Sequence, residues 1–373
     1  MTRKFDIEVM RPVLPDADAL TPYLQQIDQT GWYANRGPLT KELEQRLADH
    51  FGVERHRLVT TSSCTSGLQM AYLTARRPGA RYILTPSWTF AAAPLAAMAA
   101  GLTPFFLDVD PESQQLTPEI AKTALHRLGA ETVAAVSPVS PQGAPVDLDG
   151  WAAFQAETGC RVVHDAAAAF ISVQASGIVS CVSLHATKLL PAGEGGFVLC
   201  PDVATREEIK VRSNFGFDDS RESQLVSANA KISEYHAAIG LAAMDQLPDR
   251  RGRLMQLARR MNEMVSALPG VSLPEGFGAP WCGTTAVIRF DAPVARDCAA
   301  HLARQGIETR FWWARGCHRQ PAFADCPRDD LAMTERLAES TLGLPFHAAL
   351  SEADLGRIGG ALEGFLAARR RAA

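Results

Sequence analysis

Leu43, Leu47 and Phe51 fall on one helix face and Gly52 ends the run, so the spacing predicts an amphipathic helix over 40–50. A second amphipathic pattern covers 16–29. Between them, Gly31-Trp32-Tyr33-Ala34-Asn35-Arg36-Gly37-Pro38 is a turn-rich loop with two large aromatics, too apolar for an ordinary exposed loop and therefore expected to pack on something. From residue 57 the period changes. Short apolar, β-branched runs at 57–60, 82–84, 103–107, 132–136, 161–164, 178–184 and 197–199 predict strands, with helical stretches at 66–75, 91–100, 118–128 and 148–158 between several of them. This alternation predicts an α/β domain on a mainly parallel seven-stranded sheet, whose ligands bind at the C-terminal strand ends. After residue 232 the pattern changes again. Helices over 234–246 and 250–268 flank Pro248, a strand covers 286–290, a helix covers 294–304, and a loop carries Trp312-Trp313. The last helix, over 352–368, is opened by Ser351 and Asp354 at capping-box spacing. The reading is a large domain over 1–248 and a smaller C-terminal α+β domain over 249–373.

Composition narrows the partners. Lys+Arg total 37 against 41 Asp+Glu, a net charge of −4, which points to neither nucleic acid nor a membrane surface as the main partner. Met1-Thr2-Arg3-Lys4-Phe5-Asp6 has no apolar core of a secretory signal, and 91–101 is too short to span a bilayer and carries Pro94. Cys64, Cys160, Cys181, Cys200, Cys282, Cys298, Cys317 and Cys326 are scattered without CxxC spacing, and three of them fall in or beside strand-like runs where reduced core cysteine is usual. A soluble cytoplasmic protein without disulfides is expected. The pairs Asp108/Asp110 and His164/His185 lack ligand spacing, so no metal site is expected.

The chemistry gathers at predicted strand ends. Lys188 lies four residues past the 178–184 strand, before the Pro/Gly-rich stretch 191–196. An amine held there by backbone beside apolar residues can have a lowered pKa and form a Schiff base with a carbonyl. Asp165 ends the 161–164 strand and is either a helix N-cap or a functional acid. A carboxylate on the pyridine nitrogen of pyridoxal phosphate keeps that nitrogen protonated and makes the ring an electron sink. Thr60-Thr61-Ser62-Ser63-Cys64-Thr65-Ser66-Gly67 is either a run of N-caps or a phosphate cup at a helix start. Trp88, in Pro86-Ser87-Trp88-Thr89-Phe90, is placed to lie on a planar cofactor, and Ser183 to add a hydroxyl to a phosphate. Lysine, acid, phosphate cup and aromatic plate on successive strands make a complete pyridoxal-phosphate set.

With these residues in view, the chain resembles the DegT/StrS-type aminotransferases, pyridoxal-phosphate enzymes of the aspartate-aminotransferase fold that mostly act on nucleotide-linked keto-sugars. The likeness runs from about Gly31 to the last helix. It is carried by Gly37-Pro38 with Leu43-Glu44, Pro86 to Phe90, Phe106-Leu107-Asp108-Val109-Asp110, Gly143 to Asp149 and Asp165-Ala166-Ala167. It continues in Ser183-Leu184-His185-Ala186-Thr187-Lys188 with Glu194-Gly195-Gly196, and in Asn229-Ala230-Lys231-Ile232-Ser233-Glu234. The resemblance implies that Lys188 holds the cofactor as a Schiff base and shuttles the proton, that Asp165 pairs with the ring nitrogen, and that Trp88 stacks on the ring. It implies phosphate contacts from Ser183 and the backbone of Cys64 and Thr65, with Asn229 reaching the phosphate of a partner subunit in a homodimer. Three departures stand out. Ala168 replaces the Gln or His that touches the cofactor's phenolic oxygen, Cys64 replaces a turn glycine and would be strained at positive φ, and Ser140-Pro141-Gln142-Gly143 replaces a His-x-Tyr-Gly stretch.

For the substrate side, Tyr33 and Asn35 in the aromatic loop, the stretch Asn214-Phe215-Gly216, Arg310 with Trp312 and Trp313, and His318 with Phe323 are candidates for the pocket wall. Aromatic rings pack on sugar faces, and an arginine pairs with a diphosphate or carboxylate. The alternative for each is packing between the domains. The expected reaction moves an amino group from glutamate or glutamine to a keto-sugar. The rivals are a pyridoxal-phosphate enzyme acting on a non-sugar carbonyl or catalysing elimination or aromatisation, and a non-catalytic cofactor-binding partner.

Overall fold

The computed structural model describes residues 5–372, so Met1 to Lys4, read above for a leader, lie outside it. The chain opens with α1 (Ala17–Thr30) and α2 (Pro38–Phe51), then enters the alternating region: β1 (Leu58–Thr61), α3 (Cys64–Thr74), β2 (Tyr82–Pro86), α4 (Ala92–Ala99) and β3 (Thr103–Leu107). It continues through α5 (Pro118–Leu128), β4 (Val133–Val136), α6 (Leu148–Thr158), β5 (Arg161–Asp165), β6 (Val179–Ser183), β7 (Gly196–Leu199) and α7 (Val203–Arg212). The remainder is α8 (Glu234–Asp245), α9 (Leu247–Ser266), β8 (Val271–Ser272), β9 (Ala286–Phe290), α10 (Ala295–Arg304), α11 (Ala332–Ser340), β10 (Thr341–Leu344) and α12 (Glu352–Ala372).

The large sheet runs β1-β7-β6-β5-β4-β2-β3. Only β7 is antiparallel to its neighbours, and every other pairing is parallel. Its strands are buried on both faces and read as continuous apolar runs, as expected where helices cover a parallel sheet. The second sheet, β10-β9-β8, is antiparallel. In β9 burial alternates along Ala286–Phe290, the mark of a strand with one covered face. The N-terminal segment packs on this C-terminal part: Ile7 bridges Ile307, and the Phe346 N–H donates to the Val9 carbonyl.

Local chemistry sets several boundaries. α8 and α9 meet at Gln246, and Pro248 sits in the first turn of α9, where its missing N–H costs nothing. Ser351 and Asp354 exchange the capping-box bonds that start α12. α2 has no side-chain cap of its own; Glu234 supplies one, its carboxylate accepting from the Leu39 and Thr40 N–H groups. α7, β8, α11 and β10 are additions to the elements predicted from the sequence. α11 is capped from a distance, since Asp108 accepts from the N–H groups of Met333 and Thr334.

The aromatic loop corrects one expectation. Trp32 is 47% and Tyr33 54% exposed, and Tyr33 stacks on Tyr235, itself 46% exposed, with ring centroids 6.3 Å apart. These rings form a surface patch.

Candidate active site

A cavity of about 390 Å³ opens at the C-terminal ends of β1, β5 and β6. Asp165 enters it as the last residue of β5, and no helix follows, so the N-cap alternative falls away. Its Oδ1 accepts from the Ala167 N–H at 3.0 Å, while its backbone bonds Pro138 and Ser140. Lys188 enters from the loop joining β6 to β7. That loop closes on itself: the Ala186 N–H donates to the Gly193 carbonyl, Ala192 to Leu184, and Leu184 to Gly195. Backbone, not helix packing, therefore sets where the amine lies.

Burial drives both charges toward neutrality. It lowers the Lys188 pKa, against the raising influence of Cys64 and Asp165. It raises the Asp165 pKa, against the Ala167 N–H and the Lys188 charge. The two groups feel each other's charge across the cavity without forming an ion pair. Amine and acid thus face a shared space instead of each other.

The third wall is the start of α3. Ser63 caps this helix, accepting from the Ser66 N–H at 3.0 Å, while Ser66 returns a bond to Ser63 N–H. Cys64 and Thr65 follow as the first helical residues and line the cavity, so their N–H groups lack intrahelical partners and carry the positive end of the helix dipole. The Thr60–Gly67 stretch is therefore a capped helix start that presents free N–H groups to the cavity. Cys64 adopts helical geometry after an extended Ser63 and is not at positive φ, so the strain expected there is absent. The close approach falls on Gly196 instead, where a Cβ would lie 2.5 Å from the Cys64 nitrogen. Ser183 lines the same wall and accepts from the His185 N–H at 3.2 Å.

Two predicted residues face elsewhere. Trp88 is buried and does not line this cavity; it meets Trp313 edge-to-face at 5.1 Å and lines an adjoining small cavity with Gln142, Arg310 and Trp312. Of the two rings in this turn, the one that lines the cavity is Phe90, 64% exposed. β2 ends at Pro86, so both rings sit in a turn where no period tells their directions apart. His318 is also buried behind the wall, its Nδ1 2.7 Å from Ser87 Oγ and its Nε2 3.5 Å from Glu335; burial lowers its pKa. Phe323 packs on Phe106 below it.

Arg310 lines the cavity, lying over the Trp312 ring at 5.0 Å and pairing with Glu308 at 3.3 Å. Tyr33, Asn35 and Asn229 are exposed and outside it, with Asn229 Oδ1 accepting from Lys231 Nζ. Phe215 likewise lies outside, 44% exposed beneath the Lys231 ammonium. Sequence reasoning missed Gln142, Thr284, Thr285, His185 and Glu194 as lining residues. Gln142 is fixed by Thr285 Oγ1 at 2.8 Å, and His185 Nε2 stands 3.6 Å from Glu194. Ala168 lines the cavity as well, offering no side-chain donor, and Gly143 packs so close that a Cβ there would lie 2.5 Å from the Ala168 carbonyl. Among the described residues no group of three or more His, Cys, Asp or Glu could hold a metal ion.

This arrangement can be set beside known proteins. Residues 16–363 match the DegT/DnrJ/EryC1/StrS aminotransferase family. The chain belongs to that family. It is an aminotransferase. Protein Rv3402c of Mycobacterium tuberculosis is 30% identical over 372 residues, covering 96% of this chain and 89% of the relative. A dTDP-4-amino-4,6-dideoxy-D-glucose transaminase of Shigella dysenteriae is 28% identical, covering 92% and 95%. Among solved structures, a putative PLP-dependent aminotransferase of Bacillus cereus superposes with a TM-score of 0.89 at 27% identity, covering 95% of this chain and 99% of that one. DesI, crystallised in the presence of its TDP-sugar product, superposes at 0.85 with 32% identity, covering 98% and 95%.

Proposed function

We propose that the chain binds pyridoxal 5'-phosphate and transfers an amino group from an amino acid to a keto-sugar carried on a nucleotide. The observation that carries this reading is the opposition of Lys188 and Asp165 across one cavity whose third wall is the open N-terminus of α3. The residues fit the cofactor: an amine made less basic by burial, an unpaired carboxylate, and free N–H groups beside a serine hydroxyl. Lys188 would carry the aldehyde carbon as a Schiff base, Asp165 would face the ring nitrogen, and Cys64, Thr65 and Ser183 would hold the phosphate. Phe90 takes the stacking role expected of Trp88.

Bound there, the cofactor supplies an electron sink for the carbanion formed when the substrate carbon loses its proton. The chain's own part is proton and charge management. Lys188 Nζ, poised toward neutrality, takes a proton from one carbon and returns it to another. Asp165, fixed by the Ala167 N–H, would keep the ring nitrogen protonated. Phe90, Trp312 and Trp313 give apolar faces for a sugar ring, and Arg310 a cation at the rim.

The active unit in this reading is a homodimer. Trp32, Tyr33, Phe215, Val226 and Tyr235 are each more than two-fifths exposed, a large apolar surface for a lone protomer. A second copy covering it would bring Asn229, Tyr33 and Asn35 toward the neighbouring cavity.

The relatives named for nucleotide-linked sugars favour the sugar acceptor, and Ala168 and Gln142 in the cavity mark where this chain's acceptor would differ. The test is a two-step assay on holoenzyme. Glutamate or glutamine should bleach the cofactor band, and one of a panel of nucleotide keto-sugars should restore it and yield an amino sugar by mass spectrometry. Bleaching without any amino sugar would favour a non-sugar carbonyl, elimination or aromatisation. Native turnover by Lys188→Ala would end the proposal.

A further inference from the structure

A second, smaller cavity of about 150 Å³ shares Met10, Thr187, Lys188 and Thr284 with the first, so the catalytic lysine stands where the two meet. Arg11, Arg250, Arg253 and His347 also line it, and no aspartate or glutamate does. Arg250 is a built part of the wall: Nη2 donates to the Val13 carbonyl at 2.7 Å and Nε to the Leu189 carbonyl at 3.3 Å. It thereby ties the N-terminal segment to the lysine loop through neutral acceptors that leave its charge uncancelled. Arg11 and Arg253 are exposed at the rim and make no ion pair among the described residues. Burial and the nearby Arg253 charge both lower the Arg250 pKa. His347 Nε2–H donates to the Glu8 carbonyl at 3.1 Å, while its buried Nδ1 has no partner among the described residues. The carboxylates that act on His347, Glu8 and Asp354, do not line the cavity.

Cations held together without an acid repel one another, and a bound anion removes that cost. Arg310, by contrast, already has Glu308 and the Trp312 ring. We propose that the Arg11–Arg250–Arg253 cavity binds the anionic end of a reactant whose reacting carbon lies at Lys188. Its volume suits one diphosphate or one carboxylate-bearing side chain, not a whole nucleotide sugar. The shared chemistry has two sources: the diphosphate of the nucleotide-linked acceptor, or the distal carboxylate of a dicarboxylic amino donor. The identity of the reactant rests on the aminotransferase reading; the anion site itself does not.

The test is calorimetric titration of holoenzyme at low salt with two probes, inorganic diphosphate and glutarate, on wild type, Arg11→Gln, Arg253→Gln and Arg251→Gln. Arg251 is the control, because it faces a different groove beside His50 and Phe170. Arg11→Gln and Arg253→Gln should each weaken one probe by about tenfold or more, Arg251→Gln should not, and added salt should weaken wild-type binding. Loss confined to diphosphate assigns the site to the acceptor, and loss confined to glutarate assigns it to the donor. If neither probe binds, or if Arg251→Gln weakens binding as much, the site is refuted. Donor-driven bleaching is read on the same samples: its persistence with no anion effect refutes this site alone, and its absence refutes the aminotransferase reading.

Discussion

Trp88 meets Trp313 edge-to-face, ring centroids 5.1 Å apart and planes at 84°, with Val109, Leu337 and Ala338 closing the cluster. This pair welds the turn after β2 to the segment before α11, and it leaves Phe90 as the ring of that turn that lines the cavity. Trp88→Ala should therefore cost about 3–5 kcal/mol of stability, as removal of a buried indole does. Phe90→Ala should leave the apo-protein melting point nearly unchanged and weaken pyridoxal phosphate about fivefold to tenfold, the worth of one ring contact. Thermal melts of the apo-protein and a fluorescence titration with the cofactor check both halves.

Asp165→Asn separates stability from chemistry. Burial raises this carboxyl's pKa above its ordinary 3.8, so the folded chain keeps the proton to higher pH than the unfolded chain does. Its contribution to stability is full below 3.8 and falls as pH rises through the folded value. The asparagine variant should thus be no less stable than wild type at neutral pH, while turnover falls by about a hundredfold or more. A melt and a steady-state assay on one preparation decide it; a large loss of stability would count against the account.

His164 predicts a pH dependence. It is buried between Ser140 Oγ (2.9 Å) and Ser180 Oγ (3.1 Å), and burial pushes its pKa down to about 3. The unfolded histidine protonates near 6.5 and the folded one does not, so stability declines as pH falls from about 6.5 toward 3. The slope from this one group approaches about 1.4 kcal/mol per pH unit. Denaturant unfolding at several pH values should show a shallower decline in His164→Gln than in wild type.

Glu44 tests the support beneath α2. Its buried carboxylate faces Arg36 at 3.1 Å, Arg206 at 3.5 Å and Arg55 at 3.7 Å, and accepts from Thr60 N–H and hydroxyl. Glu44→Gln leaves those guanidinium groups without their shared counter-charge and should cost about 3–5 kcal/mol in chemical denaturation. Leucine at the same position should be no milder, because the Thr60 donors would then also lose their acceptor.

The amino-acid order alone determined the alternation of strands and helices from residue 57 to 199, because period 2 and period 3.6 are properties of consecutive residues. It also placed Lys188 and Asp165 at strand ends, where a parallel sheet presents its chemistry. Short, late elements such as β10 were illegible, since four residues without alternation carry no period and are made a strand by pairing with β9. Direction within turns was illegible for the same reason, which is why the sequence did not tell that Phe90, and not Trp88, lines the cavity. Only the tertiary structure could bring Arg11, Arg250 and Arg253 to one cavity beside Lys188. Arg11 stands more than two hundred residues from Arg250 and Arg253, and long-range convergence of like charges leaves no mark in local sequence.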